Sequence, residues 1–228
     1  MKLIHSLYSD IGRFPRSLIK PRSYIACRKI GVVLFCAILL AGCASRPPSS
    51  QEDLCKIFEQ KPGWYASSVK AANFWKGPID VPMAIMAQES AFRAKARPPI
   101  RFFLGFIPYG RASNAYGYPQ ALNSTWATYR KDAGSIFSQR DNFDDSIDFI
   151  QWYMHQTALQ NKVPKTDAYA QYLNYHEGQG GYRRATYKNK KWLINTAKRV
   201  QRRASSYKNQ LASCQPALEK RRKRRWFF

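Results

Sequence analysis

Apolar residues recur along most of this chain at helical spacing, with polar residues between them. From Pro62, positions Trp64, Ser68, Ala71 and Trp75 fall on one helix face. Asp80 is placed to cap a following helix, with Pro82 in its first turn and Ile85, Met86 and Glu89 further along. Pro119 opens a helix through Leu122, Trp126 and Tyr129. Asp141 or Asn142 caps a strongly patterned helix, with Phe143, Ile147, Ile150 and Met154 on one stripe and Asp144 and Asp145 at its N-terminal end. Thr166 caps a shorter helix that stops near Gly178. The last helix runs from about Lys190 to Leu211, with Leu193, Ala197, Val200, Ala204, Tyr207 and Leu211 as its stripe. That spacing also suits a coiled-coil seam, but a helix of this length packed on a domain core is the simpler reading. Residues 97–117 break the pattern. They hold three prolines, several glycines and the apolar run Ile100 to Ile107, and read as a long loop with a short β-hairpin. The fold class is mainly α, and there is no internal repeat.

The N-terminal pattern is different again. Ile30 to Leu40 is an uncharged apolar run behind Arg13, Arg16, Lys20, Arg22, Arg28 and Lys29, too short to span a bilayer comfortably. It ends in Leu40-Ala41-Gly42-Cys43. This resembles the bacterial lipoprotein signal, which implies that Cys43 carries lipid after processing; a plain secretory signal or a membrane anchor is the alternative. Ala44 stands where an Asp would favour the inner membrane, so the resemblance implies the periplasmic face of the outer membrane. The expected organisation is a signal over 1–42, a Pro/Ser tether over 43–50, a catalytic domain over 51–214 and a basic-aromatic tail over 215–228. The 6 Trp, 14 Tyr and 13 Phe supply a sizeable core.

Cys27 and Cys36 would leave with the signal. Cys55 and Cys214 then remain, and an oxidising compartment would join them in a disulfide closing a very long loop; two separate buried thiols is the other reading. The formal net charge is +24, and residues 43–228 keep 31 Lys/Arg against 13 Asp/Glu, or +18. An exported chain does not meet nucleic acid. The anions within reach are lipid headgroups, lipopolysaccharide and cell-wall polymers. Six consecutive basic residues precede Trp226, Phe227 and Phe228. That tail suits anionic lipid, or is simply solvated.

Glu89 is the main candidate for chemistry. It follows an apolar helix face, where desolvation and the negative end of the helix dipole both favour the protonated form that a general acid requires. An exposed helical Glu is the ordinary alternative. Two turns follow it: Gly117-Tyr118-Pro119-Gln120, then Asn174-Tyr175-His176-Glu177-Gly178. With Glu89-Ser90 they resemble, in order, the Glu-Ser, Gly-Leu-Met-Gln and Ala-Tyr-Asn-Ala-Gly motifs of the soluble lytic transglycosylase family, over roughly Pro78 to Lys198. Leu-Met has become Tyr118-Pro119, Asn-Ala has become His176-Glu177, and the first gap is longer.

The resemblance implies a lysozyme-like domain of the goose-type/transglycosylase kind. It implies cleavage of the β-1,4 bond between N-acetylmuramic acid and N-acetylglucosamine in peptidoglycan strands. Glu89 would act first as acid and then as base, giving a 1,6-anhydro product with no cofactor. Ser90, Tyr118 and Gln120 would contact substrate or orient the acid, and the Tyr175 hydroxyl would position Glu89. Glu177 leaves an alternative open: a second carboxylate would permit a hydrolytic muramidase. Its bland role is pairing with Arg183 or Arg184. A non-catalytic wall-binding lipoprotein is the third reading. With His5 in the leader, only His155 and His176 remain, so a His-rich metal site is excluded. Neither a phosphate-binding loop nor a Gly-x-Ser-x-Gly elbow is present.

Overall fold

The computed structural model describes residues 46–224; the expected signal, Cys43 and the final Arg225–Phe228 lie outside them. Seven α-helices, a two-stranded hairpin and one 3-10 turn make up the described chain. Helix α1 (Leu54–Gln60) is capped by the Asp53 carboxylate, which accepts from the Lys56 amide at 3.0 Å. Helix α2 (Pro62–Trp75) begins on a proline, whose missing N–H is no loss there. Helix α3 (Asp80–Ser90) leads into strands β1 (Ile100–Phe103) and β2 (Ile107–Arg111), an antiparallel pair with an irregularity between Arg101 and Phe102. Helices α4 (Asn123–Asp132), α5 (Phe143–Asn161), α6 (Ala168–Arg183) and α7 (Lys191–Arg224) complete the domain.

Helix α3 is apolar around most of its circumference, and its place follows from that. Val81, Met83, Ala84, Ile85 and Met86 are all fully buried, because α7 packs along one side of the helix and α5 crosses another. Helix α2 lies on α5, and α6 fills the angle between α5 and α7. The expected stripes of α5 and α7 face this core. Trp64 stacks on Phe143 with ring centroids 4.0 Å apart, joining α2 to α5. Trp75 is only half-buried; its indole N–H donates to Asp148 at 2.8 Å, and the Tyr129 hydroxyl donates to the other carboxylate oxygen at 2.7 Å.

Several expected boundaries move. Asp80 is the first residue of α3, with Ile79 at the cap position and no side-chain cap bond. Pro119 lies in a turn, and α4 begins only at Asn123. Asp167, not Thr166, caps α6, accepting from the Ala170 amide at 2.9 Å. Of the two candidates before α5, Asn142 is the cap. The largest difference is α7, which runs past Leu211 and through Pro216 to Arg224. Residues 215–224, expected as the first part of a tail, therefore continue this helix. Pro216 removes one helical hydrogen bond. The last turns are nonetheless held, because Leu218 is buried and the Tyr65 hydroxyl of α2 donates to Glu219 at 2.6 Å. Cys55 and Cys214 form a disulfide between α1 and α7.

Candidate active site

Helix α3 ends one residue after Glu89. Ala91 (φ 53°) and Phe92 (φ 57°) both adopt the left-handed conformation, which non-glycine residues rarely take. Burial offsets that cost: Phe92 is inaccessible to solvent and packs against Trp64 at 5.7 Å. The sharp stop leaves Glu89 half-buried at the wall of a cleft of ≈ 460 Å³. Pro98, Gln120, Tyr153, Tyr175, His176 and Glu177 also line it.

The Gly117 turn forms one wall. Gly117 has φ 77°, and a Cβ there would lie 2.0 Å from the Arg140 carbonyl oxygen, so only glycine fits. The close approach lets the Tyr118 amide donate to that carbonyl at 2.9 Å. Gln120, itself left-handed at φ 48°, donates through Nε2 to the carbonyls of Ala96 (3.0 Å) and Gly117 (2.8 Å). Both amide hydrogens are used in bracing the turn, which leaves Oε1 as the group to offer a ligand. The opposite wall is α6. Its Tyr175 hydroxyl donates to the Pro119 carbonyl at 2.6 Å, so the second and third motifs are joined directly.

Burial pushes the Glu89 carboxyl from 4.5 up to about 7, while a hydrogen bond from the Tyr172 hydroxyl acts in the opposite sense. The other carboxylate on the cleft is in a contrasting state. Burial would raise Glu177 as well, but Lys190, Thr186 and His176 all bond it and pull it down to about 2. Lys190 Nζ lies 2.7 and 2.9 Å from the two Glu177 oxygens, and the Glu177 side chain is 4% exposed. Glu177 is thus an ionised strut between α6 and the start of α7. Its partner is Lys190 and not Arg183 or Arg184.

Three expected roles change. Ser90 is fully buried and its hydroxyl donates back to the Met86 carbonyl at 3.1 Å, one helical turn away, so it reaches neither Glu89 nor the cleft. Tyr118 is 2% exposed and packs edge-on against Trp64 and Phe143, as part of the core. Tyr175 lies close enough to feel the Glu89 charge, but its proton goes to Pro119. The hydroxyl that favours the ionised form of Glu89 belongs to Tyr172, three residues earlier on the same helix. Tyr172 and Tyr175 share a face at that spacing, which is the signal by which the sequence could have indicated it. Tyr153 was also missed. It lines the cleft from α5 and donates to the Asn174 carbonyl at 3.1 Å. Among the described residues no three His, Cys, Asp or Glu side chains converge on a common metal position.

Comparison with curated proteins and with solved structures gives no match. A family described as "Transglycosylase SLT domain" matches residues 31–214, most of the chain and all the elements that build the cleft. With its helical lysozyme-like architecture and its three motifs gathered at one cleft, the chain belongs to the transglycosylase SLT-domain family, whose activity is directed at peptidoglycan.

Proposed function

We propose that the protein is a lytic transglycosylase, in which Glu89 serves as acid and then as base on one glycosidic bond. The observation that carries this reading is the contrast between the two cleft carboxyls. Glu89, at about 7, is protonated in a large fraction of molecules near neutral pH, as proton donation to the leaving oxygen requires. Glu177, at about 2, is ionised but engaged by three partners, so it is poorly placed to activate water or attack a sugar.

In the first half of the reaction Glu89 gives its proton to the glycosidic oxygen and the C1–O4 bond breaks. In the second half the muramoyl 6-hydroxyl bonds to C1 and returns its proton to the Glu89 carboxylate. The acid is regenerated and no water is consumed. Gln120 Oε1 is suited to accept from a sugar amide or hydroxyl. Tyr172 favours the carboxylate form of Glu89 between steps.

Delivery to the wall is part of the same proposal. The Leu40-Ala41-Gly42-Cys43 motif supports lipid attachment at Cys43, and Ala44 supports the outer membrane as the site. The net positive charge favours residence near anionic envelope polymers.

The test is digestion of purified peptidoglycan followed by mass spectrometry. The wild type is expected to release 1,6-anhydromuramoyl products, with activity falling as pH rises through about 7. Glu89→Gln is expected to lower the rate by roughly 10²- to 10⁴-fold. Reducing muramoyl ends would instead identify a hydrolase, and unchanged activity in Glu89→Gln would remove Glu89 as the acid.

A further inference from the structure

Hairpin β1–β2 projects its apolar side chains into solvent. Phe102, Phe103, Leu104, Phe106 and Tyr109 are 53–70% exposed, and every residue from Pro99 to Asn114 is exposed. A contiguous apolar surface of this kind marks a place where something else binds. Its chemistry narrows the occupant. From Phe102 to Pro108 there is no polar side chain, which suits hydrocarbon and not a polyhydroxylated glycan. The charges sit at one end only. Arg93, Lys95, Arg97, Arg101 and Arg111, all exposed, cluster where the hairpin joins the domain, while Leu104-Gly105-Phe106 forms the tip. No Asp or Glu occurs between Glu89 and Asp132. Two copies of this surface would repel each other.

An apolar tip with a cationic collar matches the depth profile of a lipid interface, acyl chains below and phosphates above. We propose that the hairpin is a membrane-interface wedge for an anionic phospholipid surface. The tip enters the headgroup–acyl boundary and the basic collar pairs with phosphates. No helix among the described residues is long and apolar enough to cross a membrane, so this contact is interfacial. Pro98 and Ser113, on either side of the hairpin in the chain, line the cleft. The wedge therefore sets the cleft beside the bilayer, whatever the chemistry of Glu89.

The test uses the full chain carrying Phe106→Trp, read as difference fluorescence against the parent. Vesicles of phosphatidylglycerol and phosphatidylethanolamine with brominated acyl chains are compared with phosphatidylcholine vesicles brominated in the same way. The expected result is a blue shift and quenching of the residue-106 signal on the anionic vesicles. Both should be lost on phosphatidylcholine and in Lys95→Glu/Arg101→Glu. Reading the signal at residue 106 separates the hairpin from an anchor at Cys43. No quenching on either surface overturns the proposal, as does equal quenching on both. A lipid-free shift that grows with protein concentration overturns it in favour of a second copy, and a shift produced only by glycan strands in favour of the wall. These exposed positions contribute no core contact, so the variants should melt with the parent. They should also still cleave soluble glycan fragments, which keeps this result separate from that for Glu89.

Discussion

At the scale of single residues, Glu89 is set by two opposed effects. Removing its carboxyl from water disfavours the charged form, and the Tyr172 hydroxyl partly restores it. Tyr172→Phe deletes only the second effect. It is expected to raise the Glu89 pKa further, moving the alkaline limb of the activity–pH profile upward; an unmoved limb would show that Tyr172 does not tune the acid. The same burial bears on stability. The folded-state pKa of about 7 lies above the unfolded 4.5, so the folded protein holds this proton more tightly. Stability is fully present below pH 4.5 and declines as pH rises through about 7, by at most about 3 kcal/mol. Glu89→Gln removes the titration. It should therefore melt higher than the wild type at pH 8 and show little gain at pH 4, while losing activity, a trade of stability for function.

At the scale of elements, α6 carries the far wall of the cleft and turns at Gly178 (φ 74°, ψ 158°), a conformation open in practice only to glycine. The chain before the break presents Tyr172 and Tyr175; Glu177, immediately before it, reaches Lys190 at the foot of α7. The strut ties the end of one helix to the start of the next. Glu177→Gln keeps the shape and loses the charge, and is expected to cost about 2 kcal/mol in urea unfolding at neutral pH. Because Glu177 is depressed from 4.5 to about 2, its contribution is present above pH 4.5 and lost as pH falls through about 2. The wild-type advantage should accordingly disappear in acid. The variant should still release anhydro products; loss of cleavage comparable with Glu89→Gln would instead make Glu177 catalytic. Local patterning made these helices legible, since each stripe needs only the 3.6-residue period. It was a poor guide to their ends. Asp80, Pro119 and Thr166 are all reasonable caps or starts in isolation, and the boundary actually adopted is set by what the flanking loop must reach.

At the scale of the whole molecule, α7 unites the fold. It covers α3, packs along α6, and at its far end meets α1 and α2. The disulfide between Cys55 and Cys214 closes a separation of 159 residues, tying the first helix to the last. The chain-entropy model gives such a loop about 4–5 kcal/mol. Cys214→Ser, compared with the wild type by urea unfolding without reductant, should lose about that much; equal midpoints would show that packing of α7 suffices without the bond.

The sequence alone determined the mainly α character and the hairpin, and it singled out Glu89 and the three motifs as candidates, because periodicity, turn residues and motif order are properties of neighbouring positions. Tertiary structure decided the rest. Residues 212–224 look polar, with a proline among them, yet they stay helical because Tyr65 and the core near Leu218, more than 140 residues away in the chain, hold them. Ser90 and Tyr118 could each have faced substrate but are turned into the core by Met86 and Trp64, while Tyr175 keeps a place on the cleft with its proton directed to Pro119. Tyr172 acts on the acid because the fold brings it near Glu89, 83 positions earlier in the chain. Which side chain meets which depends on how helices distant in sequence pack, and no local pattern records it.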